Sequence, residues 1–197
     1  MSASSNSKGV TVSEITKDKQ VVQIAIFAAL LAALGFIPPI PFATGVPISA
    51  QSLGVMLAGT ILGARNGALS MILFLVVVAL GANLLAGGRG GLGVFAGPTA
   101  GFLFAFPFAA FAAGLLTRSL SGKFSLTIAA GIGAFVGGIL VMYVFGIAGF
   151  KLVTGRTWLE SLMIMWVYIP GDAVKVVLAA VVTGAVARAL PGTFANR

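Results

Sequence analysis

Asp172 and Lys175 stand three residues apart in an otherwise apolar run, a spacing that puts both side chains on one face of a helix. If that run lies in lipid, each charge costs about 2.5–3.5 kcal/mol near a helix centre, so the two must be paired or used. Arg89 raises the same question. It is the one charge in NLLAGGRGGLGVFAGPTAG, Asn83 to Gly101, a tract with seven glycines. Glycine admits positive φ and lets backbone approach a ligand closely, and a loop folding over a small anion would use both that freedom and the cation. A structural ion pair at a helix mouth would account for Asp172 and Lys175, but not for Arg89 and Asn83. A dinucleotide-type glycine motif needs a soluble strand–loop–helix context, which the apolar flanks exclude.

The elements that must position these residues follow from composition. Of 197 residues, 59% are hydrophobic and 8% charged, against about 25% charged in a soluble domain. This points to a single all-α domain in a membrane. Histidine and cysteine are absent and only four acids occur, which removes most routes to acid–base catalysis, disulfides or a metal centre. No catalytic residue, metal or cofactor is expected. The formal charge of +8 fits cytoplasmic loops beside anionic lipid better than nucleic acid.

Hydropathy and breakers predict six spans, at residues 21–37, 48–62, 67–85, 98–116, 124–144 and 170–190. Residues 1–20 read as a disordered cytosolic tail, 21–190 as the membrane domain and 191–197 as a cytosolic C-terminal tail. Pro38 and Pro39 end the first span. Residues 150–158 read as a polar break. Thr157 and Glu160 then have capping-box spacing, predicting a short interfacial helix that reaches Ile169. With the N-terminus inside, eight of the twelve basic residues lie on the cytoplasmic side, three in outer loops and Lys175 within the membrane. That bias places both termini in the cytoplasm and the PPIP loop, the Gly-rich loop and the Pro170 break on the outer face. Ala25, Ala29 and Ala33 recur every fourth residue, a smooth stripe for close helix approach, either within the bundle or against a partner.

GGRGGLGVFAGPTAGFL resembles the signature of the BioY family, the biotin-specific substrate-capture (S) components of energy-coupling-factor (ECF) transporters. PGDAVK, Pro170 to Lys175, is similar to that family's other signature, and PFATGVPISAQSLGVMLAG, Pro41 to Gly59, to its first loop and second helix. Ala100 departs from the pattern where another glycine is expected. The resemblance implies a multi-pass protein of the bacterial inner (cell) membrane that captures biotin from outside. It also implies partners: a transmembrane coupling subunit, docked on Ala25, Ala29 and Ala33, and two ATPase subunits. The chain itself has no Walker-type phosphate loop.

Biotin has a ureido ring with two N–H donors and a carbonyl, an apolar thioether ring and chain, and an anionic carboxylate. The motif-matching residues are Asn83, Arg89, Asp172 and Lys175. Asp172 can accept ureido N–H bonds, Asn83 can donate and accept, and Arg89 and Lys175 are the cations available to the carboxylate; which residue meets which end stays open. Phe95, Trp166 and Tyr168 are candidates for the apolar wall. An S component for another vitamin, or a small channel or structural membrane protein, are the alternatives.

Overall fold

The computed structural model describes residues 12–40, 46–190 and 194. Seven α-helices account for most of them: α1 Val12–Gly35, α2 Gln51–Leu62, α3 Ala64–Ala79, α4 Ala100–Leu120, α5 Leu126–Thr154, α6 Trp158–Trp166 and α7 Ile169–Ala189. Among the described residues β pairing is confined to two isolated bridges, Ile40 with Ile48 and Leu85 with Arg89. The all-α expectation holds.

All six predicted spans are helical, but not equally long. Four stretches are long and apolar enough to cross a membrane: Asp18–Gly35, Ala100–Leu120, Leu126–Thr154 and Ile169–Ala189. The other two predicted spans are α2, with 12 residues, and α3, with 16, which at about 1.5 Å per residue fall short of a ~30 Å hydrocarbon core. They are joined through the single residue Gly63, whose φ of +83° suits glycine. Helix α3 stops at Ala79 rather than continuing to residue 85, and its C-terminal carbonyls pass directly into the Gly-rich loop: Val78 O accepts from the backbone of Gly81 and Gly91.

Helix α5 corrects the sequence reading in the opposite sense. It runs on to Thr154, so the polar break expected over residues 150–158 shrinks to three residues, 155–157. Phe150 is fully buried in the core and Lys151 lies over the Trp158 ring, 5.1 Å from its centroid, so polar residues at the helix end are absorbed without breaking it. Inside α5, Val136–Val141 form a π-helical segment. Such widened turns often adjoin functional positions, and this one immediately precedes Met142 and Tyr143. Helix α1 starts at Val12, inside the stretch expected to be tail; residues 1–11 and most of 191–197 lie outside the described residues, as do Pro41 to Gly45 of the Pro41–Gly59 motif.

Helix α4 is the centre of the packing and touches α2, α3 and α5. Small residues make this possible, as in membrane bundles where close backbone approach replaces the hydrophobic drive. Gly59 of α2 faces the Ala110 carbonyl, Gly133 and Gly137 of α5 face the carbonyls of Ala113 and Ala109, and Gly101 meets Gly149. A Cβ at any of these would collide with backbone. Gly101, read with the loop, is thus a packing residue. The outward faces stay apolar: Phe104, Phe108 and Phe111 on α4 and Val174, Val177 and Val181 on α7 are exposed, the arrangement of helices solvated by lipid. The capping box at Thr157 forms as expected, with Thr157 Oγ1 accepting from the Glu160 amide and Glu160 Oε2 from the Thr157 amide, although α6 ends at Trp166 rather than Ile169.

Candidate functional site

A cavity opens where the loop before α2, the start of α2, the Gly-rich loop, α4, α5 and the start of α7 converge. Counted together with its open mouth, it holds about 670 Å³ of empty space. Four of the sequence-predicted residues line it: Arg89, Tyr168, Asp172 and Lys175.

The charged end of the cavity is fully wired. Lys175 Nζ donates to Asp172 Oδ1 at 2.8 Å, to Ser52 Oγ at 2.9 Å and to the Ser49 carbonyl at 2.8 Å. Ser52 Oγ donates in turn to Asp172 Oδ1 at 3.1 Å, and Tyr143 OH donates to Asp172 Oδ2 at 2.7 Å. An ammonium has three donors and a carboxylate about four acceptor positions. Lys175 therefore has none spare, and Asp172 keeps one, on Oδ2. The pair is both a structural ion pair and part of the cavity wall, so the two readings of its spacing are not exclusive. The start of α7 suits the acid, since the positive end of a helix dipole favours a carboxylate in the first turn.

Across the cavity Arg89 is half-buried. Its Nε donates to the Ala86 carbonyl at 3.1 Å and Nη1 to Thr99 Oγ1 at 3.3 Å, which leaves most of the guanidinium's five donors for other use. Among the described residues the Lys175–Asp172 contact is the one salt bridge, so no carboxylate there neutralises Arg89. Burial pushes its pKa down from the ordinary value, the cost of holding a cation away from water. The loop reaches this geometry through positive φ at Gly87, Gly88 and Gly91, while Leu85 and Arg89 exchange backbone hydrogen bonds around the turn.

The other predicted residues lie elsewhere. Asn83 is exposed and borders a second, more open depression along the Gly-rich loop, which shares Arg89 and Thr99 with the cavity. Phe95 sits in the one-turn 3-10 helix Leu92–Ala96, its ring 5.7 Å from that of Phe104, and Trp166 is 68% exposed; neither lines the cavity. The apolar wall comes instead from Phe102, Leu103, Phe106 and Met142. The Phe102 ring meets Tyr143 edge-on at 6.0 Å and lies over Gly146, which has no side chain to obstruct it. Ala25, Ala29 and Ala33 are exposed along α1, whereas Ala28 turns inward.

Sequence reasoning missed Gln51, Ser52, Thr99 and Tyr143, all of which line the cavity. A signal existed for Tyr143: the chain has two tyrosines, and both line this cavity, where an aromatic body with a polar tip suits a mixed environment.

The BioY family model matches residues 5–192. A protein of Rhodobacter capsulatus described as biotin transporter BioY is 47% identical over 190 residues, covering 91% of this chain and 99% of its own length. A Rhizobium etli protein with the same description is 45% identical over 173 residues, covering 85% of this chain and 92% of its own. Among solved structures, the crystal structure of the S-component for biotin from an ECF-type ABC transporter superposes with a TM-score of 0.83 at 30% identity, covering 91% of this chain and 95% of that one.

Proposed function

The chain belongs to the BioY family, and we propose on that premise that it is the biotin-capturing S component of an ECF-type transporter. The observation that carries the assignment is the cavity itself: a wired carboxylate with one acceptor position open faces a guanidinium with donors to spare, across an aromatic wall.

That arrangement allots the two ends of biotin. Asp172 Oδ2 accepts one ureido N–H. Arg89 takes the tail carboxylate, since Lys175 has spent its donors on Asp172, Ser52 and Ser49 and acts by holding Asp172 ionised and oriented. Phe102, Phe106 and Tyr168 cover the thioether ring and chain. Asn83, on the depression beyond Arg89, makes first contact at the mouth. The chain is placed in the bacterial inner membrane with six membrane segments, four long and two short, both termini cytoplasmic and the cavity open to the outside, as the basic-residue bias favours.

The partners follow from the family: a transmembrane coupling subunit and two ATPase subunits, with delivery by toppling of the loaded S component. Exposure of Ala25, Ala29 and Ala33 on α1 supports docking of the coupling subunit there, because small residues let a partner helix approach closely. The test is equilibrium binding of radiolabelled biotin to the purified protein in detergent, with thiamine and riboflavin as competitors. Saturable binding displaced by biotin alone is expected. Displacement by another vitamin would reassign the ligand, and ion conduction in liposomes without saturable binding would make the protein a channel.

A further inference from the structure

We propose that Gln51 is the positioning residue for Arg89, and through it a determinant of how the tail of the ligand is recognised; the inference rests on the function proposed above. Gln51 is the first residue of α2 and is 3% exposed. Every hydrogen-bonding atom of its side-chain amide is engaged, each with a different backbone group. Nε2 donates to the Leu31 carbonyl of α1 at 3.2 Å and to the Leu84 carbonyl at 3.1 Å, and Oε1 accepts the Ala86 amide at 3.0 Å. One side chain thus ties two helices to the Gly-rich loop.

The bond to Ala86 reaches the guanidinium directly. The Ala86 amide is held by Gln51, and the Ala86 carbonyl accepts from Arg89 Nε. Between them the chain makes a closed turn, with Leu85 and Arg89 exchanging backbone hydrogen bonds across Gly87 and Gly88. Without Gln51 the turn keeps its internal bonds but loses its anchorage to α1 and α2, and the guanidinium loses its fixed address. Gly35 supplies a second, independent sign that this junction is built to tolerance. A Cβ there would collide with the Leu84 carbonyl oxygen and crowd Gln51 Nε2, so the last residue of α1 is shaped to let the loop close on the amide. A side chain that served only to fill space would need none of this matched bonding, and buried amides left unpaired are costly.

The test is a double-mutant cycle read by Kd for radiolabelled biotin, with biotin amide, whose tail is uncharged, as the second probe. Gln51→Met keeps the volume and removes all three bonds; Arg89→Ala removes the guanidinium. Each is expected to weaken biotin about tenfold or more, to weaken biotin amide much less, and in combination to be no worse than the larger single loss, the signature of coupled residues. Multiplied losses in the double variant, or equal weakening of acid and amide by Gln51→Met, would overturn the assignment. Gly35→Ala pushes on the Leu84 carbonyl and crowds the Gln51 amide while leaving both Gln51 and Arg89 in the sequence, and should show the same preference for damaging acid binding; unchanged biotin affinity in that variant would also overturn it. Failure of the unaltered protein to bind biotin would sink the functional reading as well, whereas binding with multiplied losses would sink Gln51 alone.

Discussion

Replacing Asp172 by asparagine tests the chemistry of the cavity with little change of shape. The carboxylate accepts from Ser52 and Lys175 on one oxygen and from Tyr143 on the other. Asparagine keeps an oxygen for Ser52 and Lys175 and turns its NH2 toward Tyr143, whose hydroxyl can accept as well as donate. α2, α5 and α7 therefore remain tied together. What disappears is the charge and the open acceptor position on Oδ2. A hydrogen bond to a charged group contributes about 1.5–3 kcal/mol, and about 1.4 kcal/mol is tenfold in affinity, so biotin should bind about 10- to 150-fold more weakly to Asp172→Asn. The Lys175 ammonium then faces a neutral acceptor, so the melting temperature should fall, but by less than when the acceptor is removed altogether. Asp172→Ala is the contrasting variant: it removes the acceptor of Lys175, Ser52 and Tyr143 together with the charge, and breaking a buried pair in this way costs about 3–5 kcal/mol, so thermal stability should drop further along with affinity. Equilibrium binding and thermal unfolding of the three proteins in one detergent give both quantities. Biotin affinity within about twofold of the parent in Asp172→Asn would refute the assignment of the ureido ring to this carboxylate.

Tyr143→Phe removes one neutral-to-charged hydrogen bond from Asp172 and keeps the edge-on contact with Phe102; the protein should lose roughly 1.5–3 kcal/mol of stability at most, seen as a lower melting temperature, and biotin Kd should rise by less than in Asp172→Asn. Ala29→Trp should leave biotin binding intact and abolish co-purification with a coupling subunit, so an intact complex would argue against docking on α1. Gly137→Leu should sharply reduce the yield of folded protein, because the side chain would enter the α4 backbone at Ala109 and overpacking costs about 1–3 kcal/mol or more; size-exclusion profiles report this. Glu160 accepts from the Thr157 amide and hydroxyl, which holds its carboxyl below the ordinary value of 4.5. A depressed folded-state pKa gives stability that is present above the unfolded value and lost as pH falls through the folded one. Protection of the first amides of α6 against hydrogen exchange should therefore decline only below about pH 4.5, and a decline near neutrality would contradict the cap.

The charged half of the site was legible in the sequence because charge in an apolar run has few bland explanations. Asp172, Lys175 and Arg89 stand out on cost alone, and the topology brings them around one cavity. Gln51 was not legible, and Tyr143 offered only the rarity of tyrosine in the chain: a neutral polar group at a helix start or within a span carries no comparable cost signal, and its partners are backbone atoms or side chains distant in sequence. The aromatics divided for a related reason. Tyr168 has a hydroxyl that seeks the Val46 carbonyl and turns inward, while Phe95 and Trp166 satisfy themselves outside the cavity. Length misled where polarity stood in for breaking. Lys151 and Thr154 read as an end to α5, but a helix tolerates polar residues in its last turns, and Thr154 bonds back to the Phe150 carbonyl.

Arg89 and Thr99 line both the cavity and the more open depression along the Gly-rich loop. An anion moving from the depression to the cavity would exchange one guanidinium N–H for the next without ever leaving the same cation. Its passage inward would then be a rotation about a fixed pivot, with no stretch in which the negative charge travels unaccompanied.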